Sequence, residues 1–383
     1  MSTIYDPRYI KLIDSLKQSR RSRNIRQAEL ANRLGRPQSY VSKVERFERR
    51  IDVVELYDWL TILEIKPLGF FRKIGWFVEP QNQTNLPALP IDGEVKEHEN
   101  GVLQQLAWQG EVREVLLEGI SVEDYLEVER TVRNIYSPLN EPGSSLKNRE
   151  AIYEAFAYAI RRLPNLNPSD IYQHLIYRLY LREYSKTQAD RSWVRAGGEA
   201  LELFVERHYG PILQPESIEI KALLSAPAKE EALREMGIHG RVGNSKLDVV
   251  LYGAHGERKI IFGGVHVKAS LAERVVDDVP CSEAMMEAGI VSYLFTLDSK
   301  SFPPPAGDLV NRGEFGTPNQ PSDKRRYVEE HGSFDACFSY NLRTVPSRAP
   351  TPSGKAIFVA SFKPEEDLFP KFVVESWEQF KRS

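Results

Sequence analysis

The sequence predicts an all-α N-terminal domain followed by an α/β (α+β) core that carries a helical subdomain. Three observations favour this fold class. The chain has 383 residues, which suits two or three domains. Apolar residues recur at helical spacing before residue 235, and runs typical of strands follow after residue 246. The predicted boundaries are 1–66 for the first domain, 67–93 for a linker, 94–185 for the helical subdomain and 186–383 for the α/β domain.

Overall composition is that of an ordinary globular protein, with 41% hydrophobic and 27% charged residues. No apolar run approaches the ~20 residues that span a bilayer, and the N-terminus lacks the apolar segment of a signal peptide. The two cysteines, Cys281 and Cys337, match neither a disulfide framework nor a zinc pattern. We therefore expect a cytoplasmic protein with no membrane partner.

Charge is distributed unevenly along the chain. The net charge is only −3, but residues 1–50 contain thirteen Lys or Arg and five Asp or Glu, a local net of 13 − 5 = +8. A basic module on a nearly neutral chain is typical of a phosphate-binding domain. The first domain is therefore a candidate for nucleic-acid binding.

Residues 6–65 read as four or five short helices. One helix is predicted over 27–34, and Gly35 follows where a helix must stop with a positive φ. Pro37 then lies near the first turn of the next helix, predicted over 38–46, where its missing N–H costs nothing. Asp52 starts a further helix.

The outer face of the helix at 38–46 is polar and basic. Short polar groups at a helix start, with basic residues further along, suit insertion into a major groove. The segment over about 9–65 resembles the helix-turn-helix family of phage repressors and Xre-type regulators. A bundle for dimerisation or peptide binding is the alternative, which an outward lysine argues against. The residues expected to contact DNA are Gln38, Ser39, Tyr40, Ser42 and Lys43.

Residues 66–93 are rich in Pro, Gly, Gln and Asn, which indicates a linker, although its aromatic residues suggest that the first part packs on something. Helical spacing then dominates to residue 235. Apolar residues at i, i+3, i+4 and i+7 predict helices over 102–119, 148–163 and 170–184.

Residues 246–300 change character and predict two strands, a short helix and another strand. The first strand contains Asp248 near its start, and the returning strand ends at Lys268, with a bulge at Gly263-Gly264. In an antiparallel hairpin these positions lie at the same end of the sheet. The carboxylate of Asp248 and the amine of Lys268 can therefore meet.

The short helix is predicted to start after Ser282 and to carry Glu283 and Glu287 on one face. Phosphodiester hydrolysis needs hard oxygen ligands for Mg²⁺ and a way to hold a nucleophilic water. Asp248 and a glutamate can hold the metal, and Lys268 can orient or deprotonate the water. The catalytic set expected is Asp248, Lys268 and Glu283, with Asp248 and Glu283 as metal ligands.

These residues resemble the PD-(D/E)xK nuclease superfamily, and more narrowly BsaWI and the group of restriction enzymes whose targets contain CCGG. The resemblance implies a type II restriction endonuclease, Mg²⁺-dependent and acting on double-stranded DNA as a homodimer or higher homo-oligomer. It also implies that the last acidic ligand comes from the helix after the lysine, because His266 stands where Asp or Glu is commoner. Glu283 is the first candidate for that ligand and Glu287 the second.

Other polar residues have less specific interpretations. The helix before the hairpin offers Glu199 or Glu202 as an additional carboxylate. His266 is interpreted as a core histidine, and Asp277-Asp278 as an acidic loop. Late polar residues are either DNA contacts or ordinary strand-end groups; they are Asn311, Arg312, Asn341, Arg343 and Thr344.

Specificity is assigned to the loop after the lysine. The CCGG group often has Ser-Leu-Arg-Glu-Arg there, whereas this chain has Ala272 at the first arginine position, which puts a CCGG target in question. Glu273 can accept from cytosine N4, and Arg274 can bind guanine O6 and N7.

Two other functions remain open at this stage. A transcriptional regulator with a non-cleaving C-terminal domain would show no dependence on divalent metal. A repair or toxin nuclease would digest a plasmid to a smear, and a restriction enzyme would give discrete bands.

Overall fold

The computed structural model describes residues 7–74, 94–108, 111–185, 189–242, 247–256, 258–271, 275–299 and 308–382. The chain divides into two compact units, Met1–Ala88 and Leu89–Ser383. Within the described part of the chain, no helix combines the length and apolar character needed to cross a membrane.

The described part of the N-terminal unit is all α-helical, as predicted. Gly35 has a φ of 63° and separates the second and third helices. Asp52 caps the fourth helix through a capping box with Glu55. The helices are α1 (Pro7–Ser22), α2 (Gln27–Arg33), α3 (Gln38–Glu45), α4 (Val53–Ile62) and α5 (Pro67–Lys73).

A buried ion pair joins the first three helices of this unit. The Arg20 guanidinium donates to both oxygens of the Glu45 carboxylate, at 2.6 and 2.8 Å. Gln27 donates to the same carboxylate at 2.8 Å. Each helix therefore contributes one partner, which sets α2 and α3 against α1.

The predicted start of the linker at residue 67 is wrong. Residues 67–73 form α5, and Phe70 and Ile74 are buried in the core of the N-terminal unit. The aromatic residues pack because they are apolar and spaced for a helix, despite the flanking Pro and Gly. The rest of the predicted linker, 75–93, lies outside the described residues.

The second unit opens with an antiparallel sheet of β1 (Val95–His98), β2 (Gly101–Trp108) and β3 (Glu111–Glu118). The helix predicted over 102–119 is therefore wrong. A spacing of four is also an even number, so Val102 and Leu106 share one face of a strand as readily as one face of a helix. Gln104 lies between them on that face and donates to the Tyr125 hydroxyl at 2.8 Å.

A group of helices follows. The helices predicted over 148–163 and 170–184 are confirmed, and a π-helical turn at Ile171–Ile176 makes the second one continuous. The described helices here are α6 (Val122–Tyr136), α7 (Asn148–Arg162), α8 (Pro168–Asp170), α9 (Tyr177–Glu183) and α10 (Ala189–Leu213).

Six described strands form the main sheet, in the order β11-β10-β7-β6-β5-β4. Strands β4 to β6 pair antiparallel, and β6, β7, β10 and β11 pair parallel. The strands are β4 (Ile218–Ala222), β5 (Val249–His255), β6 (Arg258–Lys268), β7 (Val291–Thr296), β10 (Ala336–Ser339) and β11 (Ile357–Val359). The remaining elements are α11 (Ala226–Glu235), α12 (Val275–Glu287), β8 (Gly316–Thr317), β9 (Gln320–Pro321), α13 (Asp323–Glu329) and α14 (Phe369–Phe380).

Helices cover both faces of this sheet. Alternate residues of β7 show the two sides: Tyr293 and Phe295 pack in the core with α10 and α14, whereas Leu294 packs in the core below α12 and α13. The hairpin contains a bulge, but its position differs from the predicted one: Gly263 and Gly264 pair regularly with Leu251 and Val250, whereas Tyr252 pairs with Ile261, so the extra residue is Phe262. The carboxyl ends of β6, β7 and β10 share one edge of the sheet, which is also where the chain enters β5.

Candidate active site

Asp248 and Lys268 meet at that edge, as the hairpin predicts. Asp248 immediately precedes β5, and Lys268 is the last residue of β6. The Lys268 Nζ lies 2.5 Å from Asp248 Oδ2. The backbone N–H of Val267 donates to the same oxygen at 2.9 Å. The strand pairing thus holds the carboxylate in one orientation.

The second acidic residue at this point is Asp278. Its Oδ2 lies 3.1 Å from the Lys268 Nζ, and its side chain is only 1% exposed. Asp278 stands in the first turn of α12, which begins at Val275. The interpretation of Asp277-Asp278 as an acidic loop is therefore wrong.

Helix α12 starts at Val275, eight residues before the predicted start at Glu283. Ser282 is buried inside the helix, and its hydroxyl shares a hydrogen bond of 2.6 Å with the Ser292 hydroxyl. Pro280 is the sixth residue of α12, beyond the first turn, where a proline is uncommon because it removes a backbone hydrogen bond of the helix. Pro280 and Ser282 both look like helix-start residues, which explains the misplaced boundary.

This shift moves the predicted glutamates away from the lysine. Glu283 is exposed and accepts from the Ser333 hydroxyl at 3.3 Å. Glu287 is ion-paired with Arg241. Neither glutamate lines the pocket around Lys268. The expectation that α12 carries Glu283 to the lysine is therefore corrected, and Asp278 occupies that place.

A cavity of about 570 Å³ opens beside these residues. Glu202 on α10 lines it and is 9% exposed. Glu199 also lines it but is ion-paired with Arg149 and Arg195. The remaining lining residues are Tyr172, Gln173, Trp193, Val194, Arg195, Gly198, Lys229, Asp248, Val267, Lys268, Ala269, Ser270, Asp277 and Asp278.

Lys229 is a site residue that the sequence analysis missed. It stands in the first turn of α11, and its Nζ lies 3.3 Å from Asp248 Oδ1. Residue spacing gives no indication of this contact, because the rest of α11 and the segment that leads to β5 separate the two residues. The pairing of the Leu223 N–H with the Asp248 carbonyl, at 2.8 Å, brings α11 to the site.

The pKa values of the acidic groups in the pocket shift in different directions. Burial alone would raise the pKa of Asp248, but the ammonium groups of Lys268 and Lys229 outweigh it, and the pKa is lowered. Burial raises the pKa of Asp278 in spite of Lys268. Burial and the charge of Asp248 raise the pKa of Glu202 to about 8.

Lys268 keeps its proton in this setting. Burial works against its charge, but the two aspartates outweigh burial and raise its pKa. The arrangement therefore presents two ammonium groups and at least one carboxylate to the pocket. Such a site can bind a hard divalent cation and a phosphate side by side.

Comparison with known proteins supports a nuclease. The family model described as BsaWI restriction endonuclease type 2 matches residues 225–365. The type II restriction enzyme AgeI of Thalassovita gelatinovora is 47% identical over 273 residues, which cover 70% of this chain and 96% of that enzyme. The chain belongs to the type II restriction endonucleases. It is a site-specific deoxyribonuclease, as the sequence resemblance implied.

Solved structures agree with this assignment. The crystal structure of the specific restriction endonuclease AgeI–DNA complex matches with a TM-score of 0.67 and 46% identity, over 72% of this chain and 99% of that chain. An XRE-family like protein from Pseudomonas syringae pv. tomato is 44% identical over 19% of this chain and 90% of that chain, with a TM-score of 0.18.

Type II restriction endonucleases generally need a divalent metal ion, and the pocket residues fit one. The described part of the chain holds no cluster of three or more His, Cys, Asp or Glu in metal-binding geometry. Mg²⁺ does not require one, since it is commonly held by one or two carboxylates together with substrate phosphates and waters. Asp248 and Asp278 supply two such carboxylates beside one ammonium group.

His266 is buried below this endonuclease site. Its ring packs edge-on against Phe334, and its Nδ1 lies 4.0 Å from Asp278 Oδ1. It is fully covered from solvent, in agreement with its interpretation as a core histidine.

Several of the late polar residues, which the sequence left open between DNA contacts and strand-end groups, have structural roles in this endonuclease. Asn341 and Thr344 are buried, and Thr344 donates to Asp298 at 2.6 Å. Arg343 is ion-paired with Asp170 and Glu118, each at 2.7 Å. The other two late polar residues differ in exposure: Asn311 is buried, and Arg312 is exposed. Glu273 and Arg274 lie outside the described residues.

The predicted DNA-contacting face of α3 is partly corrected. Gln38, Ser39 and Lys43 are exposed, and Ser42 is half-buried. Tyr40, which was predicted to point outward, is 5% exposed and packs against Trp59. It points inward because positions 40, 41 and 44 form the apolar stripe of α3.

Proposed function

We propose that this endonuclease cleaves double-stranded DNA with Mg²⁺ held by Asp248 and Asp278. The convergence of these aspartates on the Lys268 ammonium group, at 2.5 and 3.1 Å, carries the proposal. The metal supplies a Lewis acid for the phosphate and a source of hydroxide when bound. A carboxylate pair beside a cation is the arrangement that this chemistry requires.

Lys268 acts as a fixed positive charge. Because the two aspartates raise its pKa in the metal-free protein, it is an ammonium when the DNA phosphate enters the pocket. It is placed to orient a water and to offset the charge on the attacked phosphate. Glu202 lines the same pocket and is proposed to exchange a proton with that water, because burial and the charge of Asp248 raise its pKa in the metal-free protein.

Sequence recognition is assigned to the segment after β6. Arg274 is proposed to bind guanine through its two-pronged guanidinium and Glu273 to accept from cytosine N4. A palindromic target with a CCGG core is proposed from the resemblance, although Ala272 replaces one arginine of that pattern. A palindrome presents the same sequence twice about a two-fold axis, so the active form is proposed to be a homodimer or higher homo-oligomer.

The N-terminal unit is proposed to bind DNA through Gln38, Ser39 and Lys43. These residues are exposed on one helix of a helix-turn-helix arrangement in a segment of net charge +8. Ser42 is half-buried beside them and is kept as a weaker candidate. The expectation that Tyr40 enters the groove is dropped, because its side chain is buried.

The test is digestion of a mixed-sequence plasmid with the purified enzyme. With MgCl₂ we expect discrete bands, and with EDTA we expect intact plasmid. Asp248→Ala should lower the cleavage rate at least ~1000-fold, since loss of a metal ligand removes several kcal/mol of barrier reduction. A smear, or full cleavage in EDTA, would contradict the proposal.

A further inference from the structure

We propose that Lys229 is a second phosphate-binding lysine of the cleavage pocket, and that in the metal-free enzyme it is the counter-ion of one Asp248 oxygen. The inference rests on the proposed function, because it takes Asp248 as a metal ligand. Nothing in the sequence motif accounts for this lysine.

The two oxygens of Asp248 have different partners. Oδ2 accepts from Lys268 at 2.5 Å and from the Val267 N–H at 2.9 Å, both set by the strand pairing. Oδ1 accepts from Lys229 at 3.3 Å. Lys229 therefore pairs with the Asp248 oxygen that the residues of β6 do not bind. At 3.3 Å, this contact is longer and weaker than the ion pair between Asp248 and Lys268.

Lys229 is accessible from the pocket. Its side chain is 21% exposed, against 8% for Asp248, and it belongs to the pocket lining. A lysine ammonium is a compact point charge on a flexible stem, so it can turn from a carboxylate to a phosphate over a short distance. A DNA phosphate that enters the pocket comes within reach of it.

The position of Lys229 is unfavourable for the helix that carries it. Helix α11 is capped by Ser225, and Lys229 stands in the first turn, where the helix dipole favours anions. Asp248 offsets this cost in the free enzyme. A lysine at this position is explained if its positive charge binds a DNA phosphate in the pocket.

The charge of Lys229 should affect metal and DNA in opposite directions. An ammonium on Asp248 Oδ1 competes with a divalent cation for that oxygen, and it adds one positive charge near any incoming metal. The same charge attracts a phosphate. Removing it makes the pocket more negative by one unit, whatever the protonation state of Glu202.

The experiment compares Lys229→Met with Lys221→Met in the full-length enzyme. Lys221 lies on β4, is exposed, and does not line the pocket, so it controls for the loss of one positive charge. Metal affinity is measured by calorimetric titration with Ca²⁺ in the absence of DNA. Cleavage is measured as the single-turnover rate on plasmid DNA at saturating Mg²⁺.

We expect Lys229→Met to bind Ca²⁺ at least ~3-fold more tightly and to cleave ~10–100-fold more slowly, the loss typical of one charge-assisted contact. Lys229→Arg should recover most of the rate, and Lys221→Met should match the wild type in both readouts. If Lys229→Met fails to fold by circular dichroism, Lys229→Gln takes its place.

A rate within threefold of the wild type would overturn the proposal. Slow cleavage with unchanged or weaker Ca²⁺ binding would also overturn it, since that result indicates a structural lysine. Asp248→Asn tests the metal assignment of Asp248 separately from the role of Lys229. If this variant binds Ca²⁺ like the wild type, the metal assignment itself fails, and the counter-ion role fails with it.

Discussion

At the residue scale, two acidic residues of α12, Asp278 and Glu283, are alternative candidates for the second metal ligand. Asp278 contacts the site lysine, whereas Glu283 faces Ser333 on another side of α12. Asp278→Ala should therefore slow cleavage at least ~100-fold, because it removes a proposed metal ligand. Glu283→Ala should stay within about threefold of wild type and serves as the matched control. Single-turnover cleavage measures both, and the reverse order would restore the glutamate.

Asp298 provides a pH-dependent test away from the metal site. It follows β7, is fully buried, and accepts from the Glu314 N–H and the Thr344 hydroxyl, both at 2.6 Å. Burial raises its pKa to about 7, whereas an unfolded Asp has a pKa of about 3.9. The native state therefore holds an extra proton between these values, and its stability falls as pH rises through that window.

Asp298→Asn should reduce that loss. Between pH 5 and pH 8 the melting temperature of the variant should fall less, or rise more, than that of the wild type, because the neutral amide has no proton to lose. Asp323→Asn, whose carboxylate is 87% exposed, is the control. Parallel pH profiles for Asp298→Asn and the wild type would show that Asp298 ionises normally in the folded protein.

The sequence identified two of the residues at the pocket centre for a physical reason. A hairpin puts the start of one strand beside the end of the next, so Asp248 and Lys268 could be paired without coordinates. Asp278 was missed because Pro280 and Ser282 resemble the start of a helix that begins earlier. Lys229 was missed because its contact depends on how α11 packs against the strand edge.

At the element scale, strands were predicted well where they are buried on both faces. Strands β5 to β7 are short, largely buried segments rich in β-branched and aromatic residues, a composition typical of strands. The β2–β3 pair was read as a helix because its apolar residues stand four apart. Even spacing fits both periods, so only tertiary packing could decide between them.

Strand β5 and helix α14 offer a test of that packing. A Cβ placed on Gly253 would lie 2.4 Å from the indole ring of Trp377, so the ring packs directly on the glycine backbone. Gly253→Ala should destabilise the protein by about 1–3 kcal/mol through overpacking. Gly240→Ala is the control, because that Cβ meets nothing within 4 Å. Chemical denaturation measures both, and equal stabilities would contradict this packing.

At the scale of the whole molecule, the chain combines a helical unit that is proposed to bind DNA with a unit that cleaves it. The N-terminal unit has its own buried core and the Arg20–Glu45 ion pair, so it contains the features of an independent domain. The second unit holds every described residue of the cleavage pocket. Binding by the first unit would raise the local DNA concentration for the second without changing its chemistry.

This division predicts that a fragment of the first unit binds DNA alone. The fragment should end at residue 88 and not at 66, because Phe70 and Ile74 belong to its core. A 1–66 fragment is expected to melt at a lower temperature, since it loses two buried side chains. The 1–88 fragment should bind duplex DNA with an affinity that falls steeply with salt, as Lys and Arg release counterions from phosphates.

Paired substitutions can test which residues of that fragment contact DNA. Gln38→Ala with Lys43→Ala should weaken binding by at least ~10-fold, because both side chains are exposed on α3. Glu29→Ala with Arg33→Ala removes an exposed ion pair on α2 and serves as a control for the fold. Fluorescence anisotropy at low salt measures the affinity of each fragment. A fragment that is folded by circular dichroism and has no affinity for DNA would make this unit a protein-interaction domain, and cleavage would then depend on the second unit alone.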